Sequence, residues 1–274
     1  MPNQARTVLI TGANSGLGLA TTVELARRGF DSVGTVRSAA KARAVREAAR
    51  EVGAEVRTAL LDVTDADACR RVMNRVKPWG LVNNAGTSFT GAVEDVTDEE
   101  ARAALETMVI APMRLSKLAL PHMRAQGGGR IVNVSSIYGL TTTPLTGWYQ
   151  AAKHALEALS DALRMEVAQD GVEVVLVEPG GFKTGIWDSA EVEMKGREGS
   201  RYERAYRSAL SQIRLTQPFM GDPSRVARTI ARALTAGKPR PRYLVGADAK
   251  LMSALERLTP DELKDRVIRL TLGL

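Results

Sequence analysis

Aromatic side chains make up only 4% of the 274 residues, histidine occurs twice and cysteine once. One cysteine, Cys69, rules out an internal disulfide and fits a reducing compartment. It sits in the helix-like stretch Asp65-Ala66-Asp67-Ala68-Cys69-Arg70-Arg71-Val72-Met73, which favours a small core residue over a reactive thiol. His122 and His154 have no cysteine or carboxylate partner at metal-ligand spacing, so no metal site is expected. No apolar run approaches the roughly 20 residues that a membrane helix requires. No signal-type apolar region precedes the first strand pattern. A soluble, cytoplasmic protein with no membrane partner is the expectation.

The net charge of +7 invites a nucleic-acid reading. The arginines are dispersed, however, and so few aromatics provide no stacking platform or recognition motif. Nucleic acid is therefore not expected as a partner. A dispersed basic surface suits attraction of a polyanionic cofactor instead.

What the chain does have is rhythm. Short β-branched runs at Thr7–Ile10, Ser32–Val36, Glu55–Leu60, Leu81–Asn83, Arg130–Val134, Glu173–Val177 and Tyr243–Val245 alternate with helical patterns. The helical patterns fall near 17–28, 39–52, 65–76, 98–126, 147–169 and 223–236. Runs of Val, Ile and Leu bounded by helices predict an α/β fold, a doubly wound parallel sheet of about seven strands with helices on both faces. No linker interrupts the pattern, so residues 1–274 are expected to form one domain. Two stretches break the alternation. Residues 185–222 are polar and mixed but carry Trp187, Met194, Phe219 and Met220, and a connection of this length is functional or disordered. Residues 248–274 place Leu251, Leu255, Leu258, Leu263, Val267, Ile268 and Leu270 at helical intervals around Pro260. That pattern reads as an amphipathic helix pair packed on the domain, with a subunit contact or a lid as the alternative.

The chemistry-bearing residues fall at predicted strand ends. Thr11-Gly12-Ala13-Asn14-Ser15-Gly16-Leu17-Gly18 follows the first strand and opens the first helix. Glycine permits the tight turn and lets a pyrophosphate approach, and free amides at a helix N-terminus bind the anion. At the end of the second strand an acidic residue would hold a ribose 2′-hydroxyl, and arginine a 2′-phosphate. Here Val36 is followed by Arg37 and Ser38 with no carboxylate, which favours NADP(H) over NAD(H). The alternative for Arg37 is an ordinary solvated side chain. Further on, Tyr149 and Lys153 stand one helical turn apart on one face. An ammonium beside a phenol is expected to lower its pKa from about 10 and make it a usable acid and base. Ser136 lies upstream, beside Ser135, after the fifth strand.

With these motifs in this order the chain resembles the short-chain dehydrogenase/reductase superfamily, in its shorter single-domain branch, over most of residues 5–246. Asp62-Val63, Asn83-Asn84-Ala85-Gly86, Ser135-Ser136 and Pro179-Gly180 with Thr184 complete the resemblance. It implies that Asp62 and Val63 contact the adenine. Asn83, Ala85 and Gly86, with Asn84, line the ribose side, and Pro179, Gly180 and Thr184 the nicotinamide side. It implies that Tyr149 is the general acid and base and that Lys153 lowers its pKa and bonds the nicotinamide ribose. Ser136, at the family spacing, orients the substrate carbonyl, whereas Ser135 is expected to make local backbone bonds. It also implies a homodimer or homotetramer. One departure stands out. Met108 occupies the place of the family's asparagine, which helps hold a helix kink and a proton-relay water, and its side chain has no amide. A carbonyl freed near Pro112 could hold that water, or the relay is slower.

The expected function is an NADP(H)-dependent oxidoreductase interconverting a carbonyl and an alcohol on a small, apolar substrate. A cofactor-sensing protein with little catalysis is the rival, supported by Met108 alone. Tyr138 lines the substrate pocket or packs beside the cofactor. Glu157 and Asp161, on the helix of Tyr149, read as a solvated or subunit-contact face.

Overall fold

The computed structural model describes residues 5–274. Its centre is a seven-stranded parallel sheet in the order β3-β2-β1-β4-β5-β6-β7. The strands are β1 Thr7–Ile10, β2 Asp31–Val36, β3 Arg57–Leu60, β4 Gly80–Asn83, β5 Gly129–Val134, β6 Val172–Pro179 and β7 Arg242–Val245. Their apolar side chains feed two core clusters. Leu9, Leu81 and Ile131 contribute to one, and Val8, Val82 and Val132 to the other. Alternate residues of one strand thus serve opposite faces of the sheet. That is why the runs are apolar throughout rather than alternating.

Helices α1 Gly16–Arg27, α2 Ala39–Glu51, α3 Ala66–Val76, α4 Asp98–Leu105, α5 Ala111–Ala125, α6 Gly147–Glu166 and α9 Pro223–Thr235 fill the intervals between strands. Each start has a local cause. Asp65 accepts the Ala68 amide at α3, and Thr97 with Glu100 closes a capping box at α4. Asp222 caps α9, whose first residue is Pro223. Strand order reverses between β1 and β4, so the crevice of a doubly wound sheet opens at the carboxyl ends of those two strands.

The structure departs from the expected pattern in two places, over 98–126 and 185–222, whereas the tail follows it. The single helix predicted over 98–126 is interrupted by a π-turn at Glu106–Ile110, where the Ala111 amide reaches back to the Glu106 carbonyl. Pro112, which has no N–H, follows directly and prevents a regular ladder from resuming at once. The segment 185–222 is mostly helical, with α7 Ile186–Lys195 and α8 Glu203–Thr216. These pack through Met194, Ala205 and Tyr206 into a small core of their own. The tail forms α10 Ala247–Leu258 and α11 Asp261–Leu272, separated at Pro260. Leu272 and Ile268 join the core of α7 and α8, as a packed helix pair requires.

Candidate functional site

The glycine turn is bolted to the next strand of the sheet. Thr11 Oγ1 accepts the amides of Asn84 and Ala85, both at 2.9 Å, and Asn84 Nδ2 donates to the Thr11 carbonyl at 2.9 Å. Gly12 and Gly16 take φ of 68° and 52°, a region that side chains disfavour. A Cβ on Gly18 would lie 2.2 Å from the Gly12 carbonyl oxygen, so only glycine lets α1 begin this close to the turn. Asn14 and Ser15 are exposed at its tip, and half-buried Leu17 anchors the first turn in the core. The first amides of α1 have no partner within the helix and form an anion cradle. Thr184 stands opposite, its methyl 3.0 Å from where a Cβ on Gly16 would be. A cleft of about 510 Å³ opens there, lined by Gly16, Leu19, Thr184, Gly185 and Pro223 among others. These features fit the pyrophosphate of a dinucleotide.

At the end of β2, Arg37 is exposed and makes no ion pair among the described residues. Ser38 Oγ caps α2 by accepting the Lys41 amide at 3.3 Å, which leaves its O–H able to donate elsewhere. Past β3, the Asp62 carboxylate accepts the Thr64 amide at 3.0 Å and hydroxyl at 2.7 Å. These bonds, with the Arg37 charge behind them, hold it below the usual carboxylate range, while Val63 is buried beneath. Ala85 and Gly86 follow β4, and Pro179 and Gly180 close β6, with the Gly180 amide bonded to the Val245 carbonyl at 3.0 Å. The sheet therefore brings the sequence-predicted residues to one edge. Asn83 is the exception. It is 2% exposed and turned into the core, and its Nδ2 donates to Asn133 Oδ1 at 2.8 Å and approaches the Pro112 carbonyl at 3.2 Å. As the last residue of β4 it faces inward, so it clamps β4 to β5 and α5 rather than lining a ribose.

Tyr149 and Lys153 lie on α6, and Ser136 follows β5. Lys153 is 7% exposed. Its Nζ donates to the Val134 carbonyl at 3.0 Å and stands 5.6 Å from the centre of the Tyr149 ring. Ser136 Oγ accepts the Tyr138 amide at 3.2 Å. Tyr138 meets Tyr149 edge-on at 6.3 Å between ring centres, which places it as a wall beside the phenol. The charge balance differs from the expected lowering. Burial pushes the Tyr149 phenol up to about 12, partly offset by the Ser136 hydroxyl. Burial also pushes the Lys153 ammonium down to about 8, with the Glu157 charge opposing. Helical spacing alone overlooks that desolvation acts on both partners. The phenol thus keeps its proton at neutral pH, the state that a general acid needs.

Met108 is 1% exposed within the π-turn and packs with Ala104, Val109 and Ala152 against Tyr149. The kink therefore forms without an asparagine amide. The segment bearing α7 is held over this edge by Glu193, which accepts Ser88 Oγ and the Thr90 amide, each at 2.8 Å. Ser135 does not make the expected local backbone bond with its side chain; its hydroxyl is buried without a hydrogen-bond partner. Sequence reasoning passed over Glu178, which is 0% exposed in β6. A lone glutamate directly after Val174–Val177 was the available signal. His122 and His154 bond to Asn74 and to the Gln150 carbonyl, and no metal-ligand cluster occurs among the described residues. No described helix is long and apolar enough to cross a membrane.

Comparison with known proteins agrees with this geometry. Residues 6–195 match the family model described as short chain dehydrogenase. An uncharacterized oxidoreductase of Bacillus subtilis, YusZ, is 38% identical over 261 residues, 92% of this chain and 93% of its own length. The 3-ketodihydrosphingosine reductase of Bacteroides thetaiotaomicron is 29% identical over 97% of this chain and 98% of its own. Among solved structures, the L-sorbose reductase of Gluconobacter frateurii complexed with NADPH and L-sorbose superimposes with a TM-score of 0.77. It is 26% identical and covers 90% of this chain and 97% of its own.

Proposed function

The chain belongs to the short-chain dehydrogenase family of oxidoreductases acting on CH–OH groups, and we propose that it is an NADP(H)-dependent enzyme interconverting a ketone or aldehyde with an alcohol, Tyr149 handling the proton. The observation that carries the reading is Tyr149 beside buried Lys153, whose Nζ stands 5.6 Å from the phenol ring, with Ser136 at the edge where the glycine cradle lies. Gly12, Asn14, Ser15, Gly16, Leu17 and Gly18 would hold the pyrophosphate, and Arg37 with Ser38 the 2′-phosphate. Asp62 and Val63 would border the adenine, Asn84, Ala85 and Gly86 the ribose side, and Pro179, Gly180 and Thr184 the nicotinamide side. When bound, the nicotinamide supplies or takes up hydride. Ser136 then holds the carbonyl oxygen, and Tyr149 donates its hydroxyl proton to that oxygen as it becomes an alcohol. Lys153 stabilises the phenolate left behind.

The substrate is taken to be a small and largely apolar carbonyl compound. Half-buried Trp187 in the segment after β6 supports this, as does the lipid-like substrate named for the Bacteroides relative. NADPH is preferred because Arg37 is free to pair with a phosphate, and the NADPH-bound L-sorbose reductase accords with it. Family resemblance supports a homodimer or homotetramer working in the cytoplasm. NADPH and NADH consumption against steroid, retinoid, aliphatic and aromatic carbonyls tests the reading. Turnover is expected with NADPH on at least one class. Arg37→Ala should weaken NADPH binding by roughly 10- to 100-fold, the worth of a charge-assisted bond of about 1.5–3 kcal/mol, and leave NADH binding unchanged. Tight NADPH binding with no turnover would favour a cofactor sensor.

A further inference from the structure

Helix α6 carries Tyr149, Lys153, Glu157 and Asp161 at intervals of four, so all four stand along one face. The first two belong to the site just described, and the last two continue the row into a cluster of buried carboxylates. Glu157 is 5% exposed, and Glu178 beside it on β6 is 0% exposed. One guanidinium, from Arg242 on β7, serves three acids. Its Nε lies 3.2 Å from Glu157 Oε2 and 3.2 Å from Glu178 Oε1, and its Nη2 lies 2.5 Å from Asp161 Oδ2. Asp161 has a second cation in Arg164, at 3.1 Å. Glu157 Oε1 and both Glu178 oxygens are buried with no hydrogen-bond partner, as is the Ser135 hydroxyl. A Cβ on Gly139 would lie 2.8 Å from Ser135 Oγ and 3.2 Å from Glu157 Oε1, so these two atoms face the same small space.

Two buried carboxylates against one nitrogen of one guanidinium cannot both be ionised at modest cost. A proton held between them turns two orphaned acceptors into a donor and an acceptor. We propose that Glu157 and Glu178 form a proton-sharing carboxyl pair that carries one proton at neutral pH, and that the charge remaining on Glu157 holds Lys153 as the ammonium. Glu157 is then a positioning residue acting on Tyr149 through Lys153. This linkage rests on the reading of Lys153 as the partner of Tyr149; the shared proton does not.

The electrostatics agree. Burial pushes the Glu178 carboxyl up to about 8, and the Glu157 charge pushes it the same way. Burial likewise raises Glu157, against the pull of the Arg242 charge. The Glu157 charge is what opposes the loss of the Lys153 proton. The charged and titratable groups facing the cluster are Lys153, Asp161 and Arg164 on α6 and Arg242 on β7.

Infrared pH titration of the whole protein tests the pair without any substrate. The carbonyl stretch of a protonated carboxylic acid is expected at pH 7, and it should vanish in both Glu157→Gln and Glu178→Gln, because either lone carboxylate ionises against Arg242. Absence of the band in the wild type, or its survival in one of the variants, overturns the shared proton. The kcat–pH profile of carbonyl reduction tests the link to Lys153. Glu157→Gln should move the alkaline limb down by about one pH unit, a tenfold loss above the limb, with KM for NADPH nearly unchanged, and Glu157→Asp should restore it. An unmoved limb in a variant that has lost the band overturns the tuning of Lys153. If the wild type turns over no carbonyl, the carbonyl-reductase reading falls while the infrared result stands. The pH dependence of NADPH affinity then reads the Lys153 charge in its place.

Discussion

Gly18→Ala is the smallest change that should damage the cofactor cradle. An added Cβ would lie 2.2 Å from the Gly12 carbonyl oxygen, 2.6 Å from Asn84 Nδ2 and 2.8 Å from the Gly12 carbonyl carbon. Two of these atoms are backbone, and the third belongs to a side chain that itself pins the Thr11 carbonyl at 2.9 Å. No flexible side-chain end can swing away, so α1 or the turn must move by about 1 Å. Overpacking of this kind costs about 1–3 kcal/mol, a fall in Tm of roughly 2–10 °C in a chain of this size. The same movement displaces the amides that would bind the pyrophosphate, so NADPH affinity should drop at least about tenfold, the equivalent of 1.4 kcal/mol. Thermal melts and fluorescence titration with NADPH measure both effects. Gly237→Ala is the control, because nothing lies within 4 Å of its added Cβ. It should behave as wild type. A Gly18→Ala protein with wild-type Tm and wild-type NADPH affinity would refute the reasoning.

Two further consequences concern buried groups. Since the folded protein pushes Glu178 from 4.5 up to about 8, it binds a proton that the unfolded chain releases. That contribution to stability is complete below about pH 4.5 and is lost as the pH rises through about 8. Urea melts at pH 5 and pH 8 should show the decline in the wild type and a flatter profile in Glu178→Gln; identical profiles would contradict it. Met108→Asn buries an amide among Ala104, Val109 and Ala152, so it should cost about 1–3 kcal/mol in a urea melt without raising turnover. A gain in kcat would instead mean that a damaged proton relay limits the enzyme.

The sheet was legible because its strands are apolar on both faces, and strand boundaries predicted from Val, Ile and Leu runs fall within a residue or two of those observed. The glycine turn was legible for a different reason. Its glycines answer steric demands that no other residue meets, as the crowding at Gly18 demonstrates. Side-chain direction was harder to read. Asn83 and Asn84 are neighbours with the same chemistry, yet the pleat turns Asn83 into the core while Asn84 braces the turn. Spacing placed Lys153 near Tyr149 but not the burial that raises the phenol and depresses the ammonium, since burial is set by strands far away in sequence. The cluster of Glu157, Glu178 and Arg242 draws on α6, β6 and β7, which only the folded sheet brings together. The helices of 185–222 were hidden because their apolar faces pack on one another and on the tail rather than on the main core.

The central claim is that Tyr149 carries the proton in a reaction whose cofactor is bound elsewhere on the chain. The direct measurement is kcat for NADPH-dependent carbonyl reduction by Tyr149→Phe, with NADPH affinity determined on the same protein. The account predicts that kcat falls by about 10²–10⁴, the usual worth of a positioned general acid, while NADPH affinity stays within about threefold. Turnover close to wild type in Tyr149→Phe would contradict it.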